Sequence, residues 1–166
     1  VEGNSHYTAQ EIIDASEIEM GDNLVTLWTW QINQLVGSKL PYVQRVVVGH
    51  TFPDKVTLQV VERTVAATVE GNGRQWLMAS DGYLLETTNQ NQGIAIVGLE
   101  VVDPQAGQPM QVCEADQSKG EAIVPLMEAL DQAGKLSQCT QFDCSAASSI
   151  LVSYGIHQLR FPLHGD

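Results

Sequence analysis

The segment LPYVQRVVVGHTFPDKVTLQVVER, Leu40 to Arg63, reads as two strands joined by a short turn. In the second strand Val56, Leu58 and Val60 alternate with Lys55, Thr57 and Gln59. That period of two marks a strand with one buried and one wet face. Phe52, Pro53 and Asp54 form the turn, where proline presets the bend and aspartate tolerates it. The expected strands are Val43–Val48 and Lys55–Val61.

Upstream, Val1 and Glu2 read as the tail of a strand running into a turn at Gly3 and Asn4. Thr8 and Glu11 have capping-box spacing, so a helix starts there, with Ile12 and Ile13 after it and Ile18 closing it against the core. A second helix is expected from about Asp22 or Thr26 to Gly37. Its apolar stripe is Leu24, Leu27, Trp28, Ile32 and Leu35, with Gln31 the polar member. This places Trp28 in the core and leaves Trp30, two positions on, partly exposed. Gly37 is the expected C-terminal cap, and Pro41 prevents continuation. The order is β-α-α-β-β, with two helices covering one face of a three-stranded mixed sheet.

From Val65 the pattern changes to short strands. Val65–Val69, Gln75–Met78 and Tyr83–Leu85 are separated by the turns Gly71-Asn72-Gly73 and Ser80-Asp81-Gly82. Ile94–Val97 is a further strand, and Asp103–Pro109 a loop. Lys119–Ala133 reads as a helix with Ile123, Leu126, Met127 and Leu130 on one face. Pro125 belongs in its first turn if it starts near Glu121 or Ala122. Phe142–Cys144, Ser149–Tyr154 and His157–Leu163 complete a mainly antiparallel β-rich domain with at least one helix. The fold class is α+β, with domains at 1–63 and 64–166.

Composition excludes several classes. Hydrophobic residues make up 43%, enough for a packed core. Eight basic and 20 acidic residues give net −12, which argues against nucleic acid and against a polybasic membrane patch. No apolar run approaches the roughly 18 residues of a spanning helix. The chain opens at Val1 without a methionine, so it is expected to be a piece whose upstream targeting segment lies outside it. Cys113, Cys139 and Cys144 are too few for a disulfide framework. They read as small buried hydrophobes. Cys139 and Cys144 on one extended strand would sit roughly 16 Å apart at about 3.3 Å per residue, beyond bridging distance.

Reactive chemistry finds little support. His6, His50, His157 and His164 lack partners at metal-ligand spacing. Glu17 and Glu19 read as a solvated pair before an acid–base pair. Gly71-Asn72-Gly73 is too short to cradle phosphate. Asp143, Cys144 and Ser145 are sequence neighbours whose side chains alternate across a strand, so nucleophilic catalysis is not expected. Glu62 and Arg63 end the hairpin near the domain junction, either fixing it or forming an exposed pair. The expectation is no catalytic residue, metal, cofactor or small-molecule substrate.

The hairpin string, from Pro41, Tyr42 and Val43 through Phe52, Pro53 and Asp54 to Glu62 and Arg63, resembles the signature of the FtsQ/DivIB family of bacterial cell-division proteins. The opening Val1-Glu2-Gly3-Asn4, with Tyr7 and Thr8, is similar to the start of that family's POTRA domain. Gly21-Asp22-Asn23-Leu24 is similar to the run before its second helix. Asp81 and Gly82 resemble the hairpin opening the family's β-rich domain. Ile150–Leu163 with His164-Gly165-Asp166 resembles its late hairpin.

The resemblance implies a non-enzymatic divisome scaffold that binds FtsB/DivIC and FtsL and helps control septal peptidoglycan synthesis. It implies one N-terminal membrane helix, absent here, with this portion extracytoplasmic at the septum. The family continues past the late hairpin with a helix and a final strand, where FtsB/DivIC adds its own strand. Residues 64–166 are expected to lack both. Strand addition at sheet edges is the compatible mechanism. It places partner contacts at Val43, Arg45, Val46 and Val48, and at Ser149, Leu151 and Ser153. The alternative is a POTRA component of outer-membrane assembly or polypeptide transport.

Overall fold

The computed structural model describes residues 1–19, 21, 28–51 and 55–163. The turn Phe52-Pro53-Asp54, the expected start of the second helix with Asn23, Leu24 and Leu27, and the tail His164-Gly165-Asp166 lie outside the described residues. The chain divides into two compact units, Val1–Thr64 and Val65–Asp166. Among the described residues no helix is long and apolar enough to cross a membrane.

In the first unit, α1 spans Ala9–Ser16. The Thr8 hydroxyl accepts from the Glu11 amide at 3.3 Å, and the Glu11 carboxylate accepts from the Thr8 amide at 2.8 Å. This reciprocal cap satisfies two amides that the first helical turn leaves free. Glu17 adopts a left-handed conformation (φ 56°) and ends the helix. Ile18 therefore packs on the core from beyond the helix end. Helix α2 spans Thr29–Lys39, running past Gly37. It stops because Pro41 cannot donate the next bond; the Leu40 amide makes the last one, to Val36 at 2.8 Å. Trp28 is not core. It is the N-cap in extended conformation and 60% exposed, so helical spacing does not govern its direction. The buried face of α2 is Ile32 and Val36.

These helices cover an antiparallel hairpin, β1 (Val43–Thr51) and β2 (Lys55–Glu62). Leu58 and Val60 face inward beside Val56, as the alternation predicts. In β1 the inward residues are Val43 and Val46, three apart, because a bulge between Val43 and Arg45 sets two residues against one. The third strand is reduced to one parallel bridge. The Glu2 amide donates to Leu58, and Glu2 accepts from the Val60 amide, both at 2.8 Å. The sheet is mixed, but only its hairpin is extended.

The second unit is a seven-stranded sheet in the order β5-β4-β3-β6-β7-β8-β9. The strands are β3 (Val65–Gly71), β4 (Arg74–Ala79), β5 (Leu84–Thr88), β6 (Ile94–Val101), β7 (Cys139–Asp143), β8 (Ser149–Tyr154) and β9 (His157–Pro162). β6 pairs in parallel with β3 and β7, and the other pairings are antiparallel. Strand β5 runs past the expected Leu85 to Thr88, because Thr87 and Thr88 pair with Trp76 and Gln75.

Helix α3 spans Gln117–Gln132, starting two residues before the expected Lys119 and keeping Pro125 well inside it. Interior proline costs about 3 kcal/mol. Ile123 and Met127, on either side of it, are fully buried, and each contributes roughly 1.5–3 kcal/mol. Packing thus offsets the missing hydrogen bond.

Candidate functional site

Among the described residues, the family-motif side chains of Asn4, Tyr7, Tyr42, Glu62 and Arg63 converge at one end of the hairpin. The Glu62 carboxylate accepts from the Ser5 hydroxyl at 2.5 Å and from the amides of Ser5 (3.0 Å), His6 (2.9 Å) and Tyr7 (3.4 Å). The Asn4 side-chain amide donates to the Tyr7 carbonyl at 2.9 Å. Gly3 has φ 83°, and a Cβ there would overlap the Val60 carbonyl oxygen, so glycine is required. His6 stacks on Tyr42 at 3.8 Å between ring centroids. The Tyr7 hydroxyl accepts from the Tyr42 amide at 3.4 Å.

Arg63 donates from Nη1 to the carbonyls of Pro41 (3.0 Å) and Val43 (2.6 Å). Glu62 and Arg63 thus hold two different segments, the N-terminal turn and the entry to β1. Burial pushes the Glu62 carboxyl up, but the Ser5 hydroxyl and the amides of His6, Ser5 and Tyr7 outweigh it and hold the group below its ordinary range. These motif residues form a latch that sets the hairpin's geometry.

The reactive candidates separate. Glu17 pairs with Lys39 at 2.6 Å, so it does not act with Glu19 as a free acid–base pair. Cys144 is fully buried, and burial pushes its thiol up to about 11, leaving almost no thiolate at neutral pH. Cys139 is also buried, whereas Cys113 is exposed, contrary to its reading as a small buried hydrophobe. The Asp143 carboxylate accepts from the Ser145 amide at 2.9 Å. Among the described residues no group of three His, Cys, Asp or Glu side chains could hold a metal ion.

Main-chain edges remain. On β1 the Val46 amide donates to Asn33 Oδ1 at 2.6 Å, and the Val46 carbonyl accepts from Asn33 Nδ2 at 2.7 Å. Both groups therefore point away from β2. In an antiparallel ladder such residues alternate with inward-bonded ones. Val48 and His50 hence also direct their N–H and C=O outward, while Arg45 bonds inward to Val61. At Val43 the amide donates to Leu40 at 2.9 Å and the carbonyl is taken by Arg63. Of the four β1 residues placed at this edge by sequence, only Val48 has open main chain among the described residues.

In the second unit a loop closes the β5 edge at Leu84, its first residue. The Leu84 amide donates to Gln108 at 2.9 Å, and the amides of Gly107 and Met110 donate to Leu84 and Gly82, both at 2.8 Å. Gly82 (φ 81°) makes the turn beside Asp81 and donates to Ala79 at 3.0 Å. Ser149, Leu151 and Ser153 are not at an edge, because β8 pairs with both β7 and β9. The reason is the final hairpin, which folds β9 over the outside of β8.

Among the described residues β9 pairs with β8 alone and leaves its other edge open. Tyr154 and His157 close a two-residue turn and form a bonded pair, so Leu159 and Phe161 bond inward while Gln158 and Arg160 point outward. Around this edge Ile156 is 95% and Leu159 44% exposed. No sequence signal separates β8 from β9 as the edge, since either strand alone carries the same alternation.

The profile of the POTRA domain, FtsQ-type, matches residues 1–63. The chain is also similar to the cell division protein DivIB of Lactococcus lactis subsp. lactis, strains KF147 and IL1403. Each is 25% identical over 89 residues, which cover 52% of this chain and 23% of the relative. The match thus spans under a quarter of those proteins' length.

Proposed function

We propose that this chain, an FtsQ/DivIB-family cell-division protein by its FtsQ-type POTRA domain and its likeness to DivIB, is a non-catalytic scaffold that binds partners by strand addition. Residues 64–166 are read as the family's β-rich domain. The partners are FtsB/DivIC and FtsL, and the role is control of septal peptidoglycan synthesis from the extracytoplasmic side of the membrane. The observation that carries this reading is the row of outward main-chain groups at Gln158 and Arg160, without a strand partner among the described residues and beside exposed Leu159 and Ile156. An extended segment that pairs there gains ladder bonds and covers apolar surface.

The test is capture of purified FtsB/DivIC and FtsL segments by this chain and by Arg160→Pro and Val48→Pro variants. Proline at either position removes an outward amide and spares the internal ladder. Loss of capture in one variant identifies the edge. Folded variants that both bind as the parent does would dispose of the mechanism.

A further inference from the structure

β1 is a long edge strand with the run Val46-Val47-Val48 and no proline, the kind of edge that pairs with another chain. Asn33 lies inside α2, where asparagine is a weak helix former, and its amide makes both hydrogen bonds that a strand residue would make to Val46. The distances, 2.6 and 2.7 Å, are those of well-formed bonds. The side chain therefore occupies the position of one peptide unit of an added strand.

We infer that Asn33 is an edge guard that keeps β1 from zipping to β1 of a second copy of this chain. The inference rests on reading β1 as a docking edge, and it names what limits that edge. The occupant follows from the strand's own symmetry. An antiparallel pairing centred on Val48 sets Val48 against Val48 and Val46 against His50 in both directions. Each outward pair exchanges two main-chain bonds. With Asn33 in place only Val48 and His50 are available, so two copies can form at most two pairs and four bonds. With the guard removed, Val46, Val48 and His50 form three pairs and six bonds. Val47, exposed on the opposite face of the hairpin, then lies opposite Gly49 of the second copy, where no side chain obstructs the pairing. A shorter strand from another protein still fits at Val48 and His50, so the guard selects against self-pairing while leaving room for a brief docking segment.

The experiment is sedimentation velocity over a concentration series, with this chain, Asn33→Ala, and Asn33→Ala combined with Val48→Pro. Asn33→Ala should self-associate at least roughly ten-fold more tightly, the worth of two further main-chain bonds. Adding Val48→Pro should return the protein to the parent's behaviour. A folded Asn33→Ala protein that associates no more than the parent sinks the inference, as does association that persists when Val48 is proline.

Amide exchange in the unaltered chain gives a second readout that survives any folding defect. The Val46 amide should exchange roughly ten-fold or more slowly than that of Val48. Equal rates would overturn the guard. Capture of FtsB/DivIC by the parent and by Val48→Pro is scored separately, so failure of the guard and failure of β1 as a docking edge remain distinguishable.

Discussion

Replacing Glu62 with alanine should destabilise the first unit selectively. The carboxylate holds three backbone amides and one hydroxyl from Ser5, His6 and Tyr7. Hydrogen bonds to charged groups are worth about 1.5–3 kcal/mol where water is excluded. Ser5 and His6 are solvent-exposed, so water replaces much of each bond, and about 0.5 kcal/mol apiece is the appropriate discount. Four donors then give a loss of about 2 kcal/mol. A unit of this size has roughly 3–10 kcal/mol in total, at about 0.05–0.15 kcal/mol per residue. The substitution removes a fifth or more of it and lowers the unit's melting temperature by roughly 8–16 °C.

The assay is urea unfolding read by pulsed hydrogen exchange and mass spectrometry. Peptides from β1 and β2 report the first unit, and peptides from β3 and β4 serve as an internal control. A first-unit change under about 0.5 kcal/mol, or an equal shift in both units, would refute the latch. The pH dependence has a fixed sign. The folded-state pKa of Glu62 is lowered, so its contribution is complete above the ordinary carboxylate range and is lost as pH falls through the lowered value. The gap between the parent and Glu62→Gln should therefore close on acidification.

Other expectations are equally direct. Ile12→Ala leaves a hole in a fully buried site and should cost the first unit about 2–5 kcal/mol, measured by the same urea titration. Gly98→Ala combines φ 71° with a Cβ 2.5 Å from the Ser145 amide nitrogen, so the second unit should lose at least about 1 kcal/mol while the first keeps its midpoint. In β9, Leu159→Pro should disrupt the final hairpin, whereas Arg160→Pro should leave it intact, as circular dichroism and exchange of β8 amides will show. Ile156→Asp at the hairpin tip should change stability by no more than about 0.5 kcal/mol and, if β9 is the docking edge, weaken partner capture.

Much of the local structure is legible from residue order because it depends on short-range chemistry. Thr8 and Glu11 cap α1 from three positions apart. Val56, Leu58 and Val60 alternate inward in β2. Asn72 and Gly73 form the tight turn that the Asn-Gly pair predicts. The errors have equally physical causes. Trp28 looks like a core residue by spacing, but the helix starts after it. Pro125 looks like a helix start, but burial of Ile123 and Met127 carries the helix through it.

By itself, the sequence determined the net acidic charge, the α1 cap, the alternation of β2 and the hairpin motif, because period, capping and charge are properties of neighbours along the chain. Which edges are open was settled only by tertiary structure. Val46 is closed by Asn33, 13 positions away, Ser149–Tyr154 is enclosed between β7 and β9, and Leu84 at the start of β5 is bonded to the loop at Gly107 and Gln108. A backbone hydrogen-bonding group looks the same at every residue, so only the arrival of a distant segment distinguishes a paired one from a free one.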